Sequence, residues 1–399
     1  MIPAEFVTLL FSAASIERWN DHPRPMPFTE LDKQAHKAII AWVLARAEED
    51  AGKSIDWEAL IGGTIAECLH RIVLTDLKPP IFHRLMAEKG QALTEWALER
   101  LAPAVTPVAD GALFAAIRTH LTAPAPTLER RILKAAHYLA TQWEFRLIYH
   151  TAPFLYGIEQ TKAAIEGEIE AHYDLIGVQK IALGKRLFGF VDLVGQLRFQ
   201  QRWAQTPRLP KTSVLGHLLF VAILSYCGAR ELGAKSTQRR SNAFYGALFH
   251  DLPEVLTRDV ISPIKREAPG VEALLKAEER RLMAEVLLPL LPENWHAQLR
   301  AYTETEFACR VREDGQWRIL ADETVPEALD RDACDPIDGP LIKAMDELAA
   351  LTEAAQSLAH GVRAPALVEA NRRLPEKYHG KRLGALDLGA LFAALRFEG

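Results

Sequence analysis

The sequence predicts an all-α protein, and three observations predict it. Apolar residues recur at three- and four-residue spacing along most of the chain. No series of alternating strands interrupts them. Proline and glycine gather in short stretches between the periodic segments, where they end one helix before the next begins. In chain order the amphipathic stretches are 5–18, 31–49, 56–74, 84–101, 128–148, 160–171, 186–202, 212–232, 239–251, 271–290, 340–359 and 383–396. The breaks are "HPRPMPF", "LKPPIF", "APAVTP", "TAPAPT", "TPRLPKT", "ISPIKREAPG" and "REDGQW". "EDGQWR" reads as a short hairpin turn, an exception within a helical chain.

Composition narrows the function classes. A chain of 399 residues has room for two domains, each with a core of its own. At 49% hydrophobic and 25% charged it is not a disordered sequence. A formal charge of -5 supplies no global basic field, so no nucleic acid polymer is expected as a partner. Cys68, Cys227, Cys309 and Cys334 form no CxxC pair and read as reduced thiols. The N-terminus lacks a basic leader region and carries Glu5, so it reads as a first helix and not a signal peptide. The apolar run around 214–227 comes nearest to a membrane span but is short of one. A cytoplasmic protein without membrane contact is the expectation.

An internal repeat organises the rest. "FVTLLFSAASIERWND" lies against "FVDLVGQLRFQQRWAQ", with Arg18-Trp19 on Arg202-Trp203, and a proline-rich loop follows each pair. "KQAHKAIIAWVLA" then lies against "VLGHLLFVAILSY", putting His36 on His217. "AECLHRIVLTDLKPPI" lies against "FHDLPEVLTRDVISPI", matching Asp76 to Asp259, and "RILKAAHYLA" lies against "PLIKAMDELA", matching His137 to Asp346. We read two tandem copies of one helical domain, residues 1–180 and 181–399, with extra residues around 305–335 in the second. The copies share an apolar skeleton and differ at the polar positions. Glu67-Cys68 stand where His250-Asp251 stand in the second copy, Arg71 where Glu254 stands, and His137 where Asp346 stands.

Those polar positions are the candidate chemistry. His217 sits in a helix apolar on every face, where a buried imidazole needs a partner; a backbone carbonyl or a metal would serve. His250 and Asp251 are adjacent, so they cannot share a helical face, but a helix end before Pro253 lets both approach one ion. Asp346 lies among apolar neighbours, where an ionised carboxylate needs either a cation or Lys343 one turn away. Two imidazoles and two carboxylates suit a divalent metal ion: Mn, Co, Fe, Zn or Mg.

The ordered set His217, His250-Asp251 and Asp346 resembles the HD-domain metal-dependent phosphohydrolase superfamily. More narrowly, Arg202-Trp203, "HDLPEVLTRD" and "IKAMDEL" resemble its bacterial 5'-deoxynucleotidase-like subgroup. The similarity covers roughly 186–360. It implies two HD-type domains forming an intramolecular pseudo-dimer, because simple members are single domains that associate as dimers. It also implies metal ligands at His217, His250, Asp251 and Asp346. Glu254 would stand near the attacking water or leaving group, Asp259 near the sugar, Arg202 on the phosphate and Trp203 beside the sugar. Leu252-Pro253 depart from the small residues usual between the HD pair and the glutamate. The chain then reads as a phosphohydrolase that releases phosphate from a nucleoside 5'-monophosphate or related phosphate ester, as a monomer or homodimer. The alternative is a nucleotide sensor without turnover. The first copy, with His36, Glu67, Cys68 and His137 at the ligand positions, reads as structural.

Overall fold

A computed structural model describes residues 1–75, 79–123, 126–258 and 270–399 of the chain. These residues divide into two compact units, 1–182 and 183–399. Both are helical.

In the first unit, helix α1 (Ala4–Phe11) gives way to a short 3-10 turn and a strand, β1 (Glu17–Arg18), which pairs antiparallel with β2 (Phe28–Thr29). The amphipathic stretch expected over 5–18 is therefore cut short. A two-residue strand has no periodicity of its own to betray it. Helices α2 (Glu30–Asp50), α3 (Trp57–Leu74), α4 (Pro79–Val105), α5 (Ala112–Thr122), α6 (Leu128–Thr151), α7 (Ile158–Glu170) and α8 (Ile176–Ala182) follow. Helix α2 starts on the side chain of Thr29, which accepts from the Asp32 N–H and so satisfies an orphan donor of the first turn. It is buried from Glu30 to Glu48 with Arg46 as the sole partial exception, and packs against α6. Lys33 and Lys37 lie within that buried stretch.

The second unit runs through α9 (Arg186–Gly195), a 3-10 turn, α10 (Val214–Glu231), α11 (Thr237–Phe249) and the short α12 (Glu254–Thr257). Ser213 caps α10 by accepting from the Gly216 N–H. Every residue of α10 from Val214 to Ala229 is buried. By length and composition α10 could cross a membrane, but here it is the core helix, packed on α11 and on the helix Gly339–Ala359. Close approach is bought with small residues: a Cβ on Gly228 would meet Leu341 at 2.8 Å.

The extra residues of this unit form a three-stranded antiparallel sheet, ordered β4 (Gln316–Ile319), β3 (Cys309–Glu313), β5 (Ile337–Asp338). The expected hairpin is present. Asp314 and Gly315 both have positive φ, +49° and +80°, as an Asp-Gly two-residue turn requires. Cys309, Val311, Leu320, Val325 and Cys334 make its small core. Arg239 of α11 ties the sheet down, bonding both oxygens of buried Asp338 at 2.6 and 3.0 Å and part-buried Asp330 at 2.8 Å. Three further expectations are corrected. The stretch 383–396 opens as a hairpin, β6 (Arg382–Leu383) with β7 (Leu386–Asp387), before its helix Leu388–Leu395. The stretch 271–290 is α-helical only over Val271–Leu282 and continues through π and 3-10 turns. Helices Glu293–Thr303 and Pro365–Tyr378 were not anticipated.

Gly339 opens the helix Gly339–Ala359, and the backbone of Phe307 and Ala308 passes so close that an added Cβ would lie 2.2 Å from the Phe307 carbonyl carbon. Backbone cannot swing aside as a side chain can. Gly339→Ala should therefore cost about 2–3 kcal/mol. Thermal unfolding checks this, and an unchanged midpoint would contradict the close approach.

Candidate metal centre

Three helical elements converge on one point in the second unit. His217 stands on α10, four residues past its cap; His250 closes α11; Asp346 is on the helix Gly339–Ala359. One ligand atom from each lies within 4.8 Å of the other two, the one such gathering of metal-ligand types among the described residues. The imidazole side chains are wholly buried, and the Asp346 side chain is 15% exposed. His217 Nε2 lies 3.1 Å from Asp346 Oδ1, and the ring centroids of His217 and His250 are 5.8 Å apart.

His250 and Asp346 are oriented from behind. His250 Nδ1–H donates to the Ala247 carbonyl at 2.7 Å, which turns Nε2 inward. Lys343 holds the other oxygen of Asp346 at 2.9 Å and lies 4.4 Å over the Phe307 ring. The two partners weighed for Asp346, a lysine and a metal centre, thus act on different oxygens. Asp251 stands apart from the three-residue group, with Oδ2 3.0 Å from His250 Nε2.

Charge within the cluster is unbalanced. Burial and the nearby Arg202 push His217 down. Burial would also lower His250, but Asp251 and Asp346 outweigh it and raise it to about 9. Asp251 and Asp346 fall below the usual carboxylate range despite burial, Asp251 chiefly through His250 and Asp346 chiefly through Lys343. The carboxylates thus demand positive charge between them. His217 Nδ1 finds no hydrogen-bond partner among the described residues. Two imidazoles and two carboxylates gathered in this way are the donor types of a divalent cation, which on binding would take the place of the His250 proton, and these residues fit one.

The other predicted residues surround this group. Leu252-Pro253 do not break the chain: Pro253 has helical dihedrals, the Glu254 N–H donates to the Asp251 carbonyl at 3.1 Å, and Glu254, 7% exposed, begins α12. Gln200 anchors the same turn by donating to the Glu254 carbonyl at 2.9 Å. Asp259 lies outside the described residues, as does Asp76. Arg202 and Trp203 meet on Glu353, a residue that sequence reasoning passed over. The Arg202 Nε–H donates to Glu353 Oε2 at 3.3 Å and the Trp203 indole N–H to the same oxygen at 2.8 Å. Thr212 donates to Oε1 at 2.6 Å.

The first unit has its own version of this frame. Arg18 Nε and the Trp19 indole N–H donate to Glu144 Oε2 at 3.0 and 2.9 Å. Trp19 and Trp203 share a positive φ, +54° and +57°. The strand pairing corrects one expectation. Glu17 opposes Thr29, the cap of α2, and Gln201 opposes Ser213, the cap of α10, twelve residues apart in each case. Four residues past the cap stands His217 in α10 and Lys33 in α2, so Lys33 and not His36 holds the His217 position. His36 packs edge-on against Trp143 instead. The Lys33 amine contacts His137 Nδ1, and the Lys37 amine contacts Glu67 Oε2. Burial, with Glu30 adding to it, pushes the Cys68 thiol up to about 12. Two amines and a protonated thiol do not make a metal site.

Glu353 sets a pH dependence. Burial raises its carboxyl, but Arg202 and Arg208 outweigh burial and bring it from 4.5 to about 2. A depressed folded value contributes stability that is complete above pH 4.5 and lost as pH falls towards 2. In denaturant unfolding, wild type should exceed Glu353→Gln by about 3 kcal/mol at pH 6, with the gap closing below pH 4.5. A gap that ignores pH would rule out the ion pairs as its source.

Comparison with known proteins falls on this site. Residues 194–374 match the family model described as an HD domain, a span that contains His217, His250, Asp251, Glu254 and Asp346. A 5'-deoxynucleotidase of Pasteurella multocida is 29% identical over 127 residues, 31% of this chain. The chain spans 64% of that relative's length. The family match gives the second unit a likeness to HD domains.

Proposed function

We propose that the second unit is a metal-dependent phosphohydrolase that releases phosphate from a nucleoside 5'-monophosphate or a close phosphate ester. The gathering of His217, His250 and Asp346 carries the reading, with Asp251 beside His250 and an arginine held nearby. A divalent cation bound there would polarise a phosphoryl oxygen and lower the pKa of a water. The chain's own residues do the rest. Arg202 offers a planar fork of donors to the phosphate oxygens. Trp203, half-buried, presents an aromatic edge to the sugar. Glu254, buried one turn past His250, is suited to take or give a proton, and Asp259 is proposed at the sugar end. The deoxynucleotidase relative supports a nucleotide substrate.

We further propose that the first unit is a tandem copy whose role is structural. The repeated Arg-Trp-Glu frame and the matching strand-to-cap spacing support a common origin. The Lys33 and Lys37 amines, set against His137 and Glu67, fill the space where the other unit would take an ion.

Purified full-length protein should bind about one equivalent of Mn or Co per chain and release phosphate from a panel of 5'-mononucleotides. Asp251→Ala should lose at least about tenfold in metal affinity and about a hundredfold or more in turnover. Cys68→Ala should change neither. A protein that takes up no metal would end the enzyme reading. Metal and tight nucleotide binding without phosphate release would make the unit a sensor. Two equivalents of metal would overturn the structural role of the first unit.

A further inference from the structure

Two turns beyond Asp346 the same helix presents a second buried carboxylate. Glu353 is 1% exposed, and its side chain meets donors drawn entirely from the segment 202–212: Arg202, Trp203 and Thr212, with Arg208 Nη1 3.9 Å away. Trp203 sits in the left-handed region, a conformation that persists only where surroundings enforce it. Its indole bond to Glu353 does so. A carboxylate on Arg202 Nε fixes the plane of the guanidinium fork, and the Arg202 charge acts on His217. Two guanidiniums share one carboxylate here, whereas Arg18 in the first unit meets two, Glu144 and Glu30. Val214 occupies the position past the cap that Glu30 has in α2. One carboxylate thus orders both arginines of the 202–212 segment.

We propose that Glu353 is a positioning residue for the reaction proposed above: through Arg202 and Trp203 it sets where the phosphate and sugar of a nucleoside monophosphate rest against His217, His250 and Asp346. The inference rests on the phosphohydrolase reading, and it assigns Glu353 no contact with substrate. Glu144 supplies an internal control, since it makes the same arginine and tryptophan bonds in a unit with no metal-ligand cluster among its described residues.

The experiment uses the full chain with Mn and the 5'-mononucleotide that wild type hydrolyses best. Glu353→Gln should keep wild-type metal content and lose at least about tenfold in kcat/KM, mostly through KM. Arg202→Gln should lose at least as much, and the double variant no more than Arg202→Gln alone, because the two act through one contact. Glu144→Gln should leave activity unchanged. Should Glu353→Gln fail to fold, Thr212→Val removes the hydroxyl that donates to Glu353 and accepts from Arg208, leaves Arg202 and Trp203 on the carboxylate, and should raise KM by about threefold. Wild-type KM in Glu353→Gln, or losses that multiply in the double variant, would overturn the proposal. If wild type binds the nucleotide without releasing phosphate, the enzyme reading fails. The same comparisons on Kd then decide the positioning role: a tenfold rise in Glu353→Gln upholds it and an unchanged Kd sinks it.

Discussion

Two carboxylates seven residues apart on one buried helix organise the second unit. Residues two turns apart share a helical face, so Asp346 and Glu353 look the same way from the helix Gly339–Ala359. Neither can stay ionised in an apolar interior without partners. Asp346 draws His217, His250 and Lys343; Glu353 draws Arg202, Trp203 and Thr212. The requirement to satisfy them brings α10, the end of α11 and the 202–212 loop to the same place. Burial supplies the cost of leaving a carboxylate alone, and the fold answers with a site.

The first unit holds a similar Arg-Trp-Glu frame beside different chemistry. His137 and Glu144 have the same seven-residue separation on α6. Glu144 keeps its arginine and tryptophan, but His137 meets a lysine amine. That amine is held in a poor setting for charge: burial, and after it Arg18, Lys37 and Arg71, lower Lys33 against the pull of Glu30. A lysine whose charge burial disfavours, set against a histidine, fills the core. It holds the helices together without asking for an ion.

Much of this was legible in the sequence, and the exceptions have physical reasons. Helices such as α3 and Gly339–Ala359 appear within a residue or so of their periodic stretches, because a buried face writes itself every three or four positions. The Asp-Gly turn at 314–315 was readable for the same local reason. Strands of two residues and the π turn at Met283–Leu287 leave no periodic trace. His217, His250 and Asp346 stood out as ionisable residues in apolar context. Glu353 did not, since "LTEAAQ" reads as an ordinary helix surface. Its signal lay in the proposed repeat: continuing the alignment of His137 with Asp346 puts Glu144 on Glu353, an acid at both positions. The pairing of His36 with His217 failed because like residues were aligned across a gap that the equal strand-to-cap spacing does not contain.

The inserted sheet carries a further meaning. Cys309 pairs with Asp338, so the two ends of the insertion are adjacent strands, and Phe307 just before it reaches the His250 ring at 6.0 Å between centroids. A loop whose ends are already clamped pays its closure entropy at the clamp, and each doubling of its length then adds only about 0.6 kcal/mol. The turn between β3 and β4 at Asp314-Gly315 is therefore a port in the architecture, where chain can be lengthened while the ligands behind it hold their register.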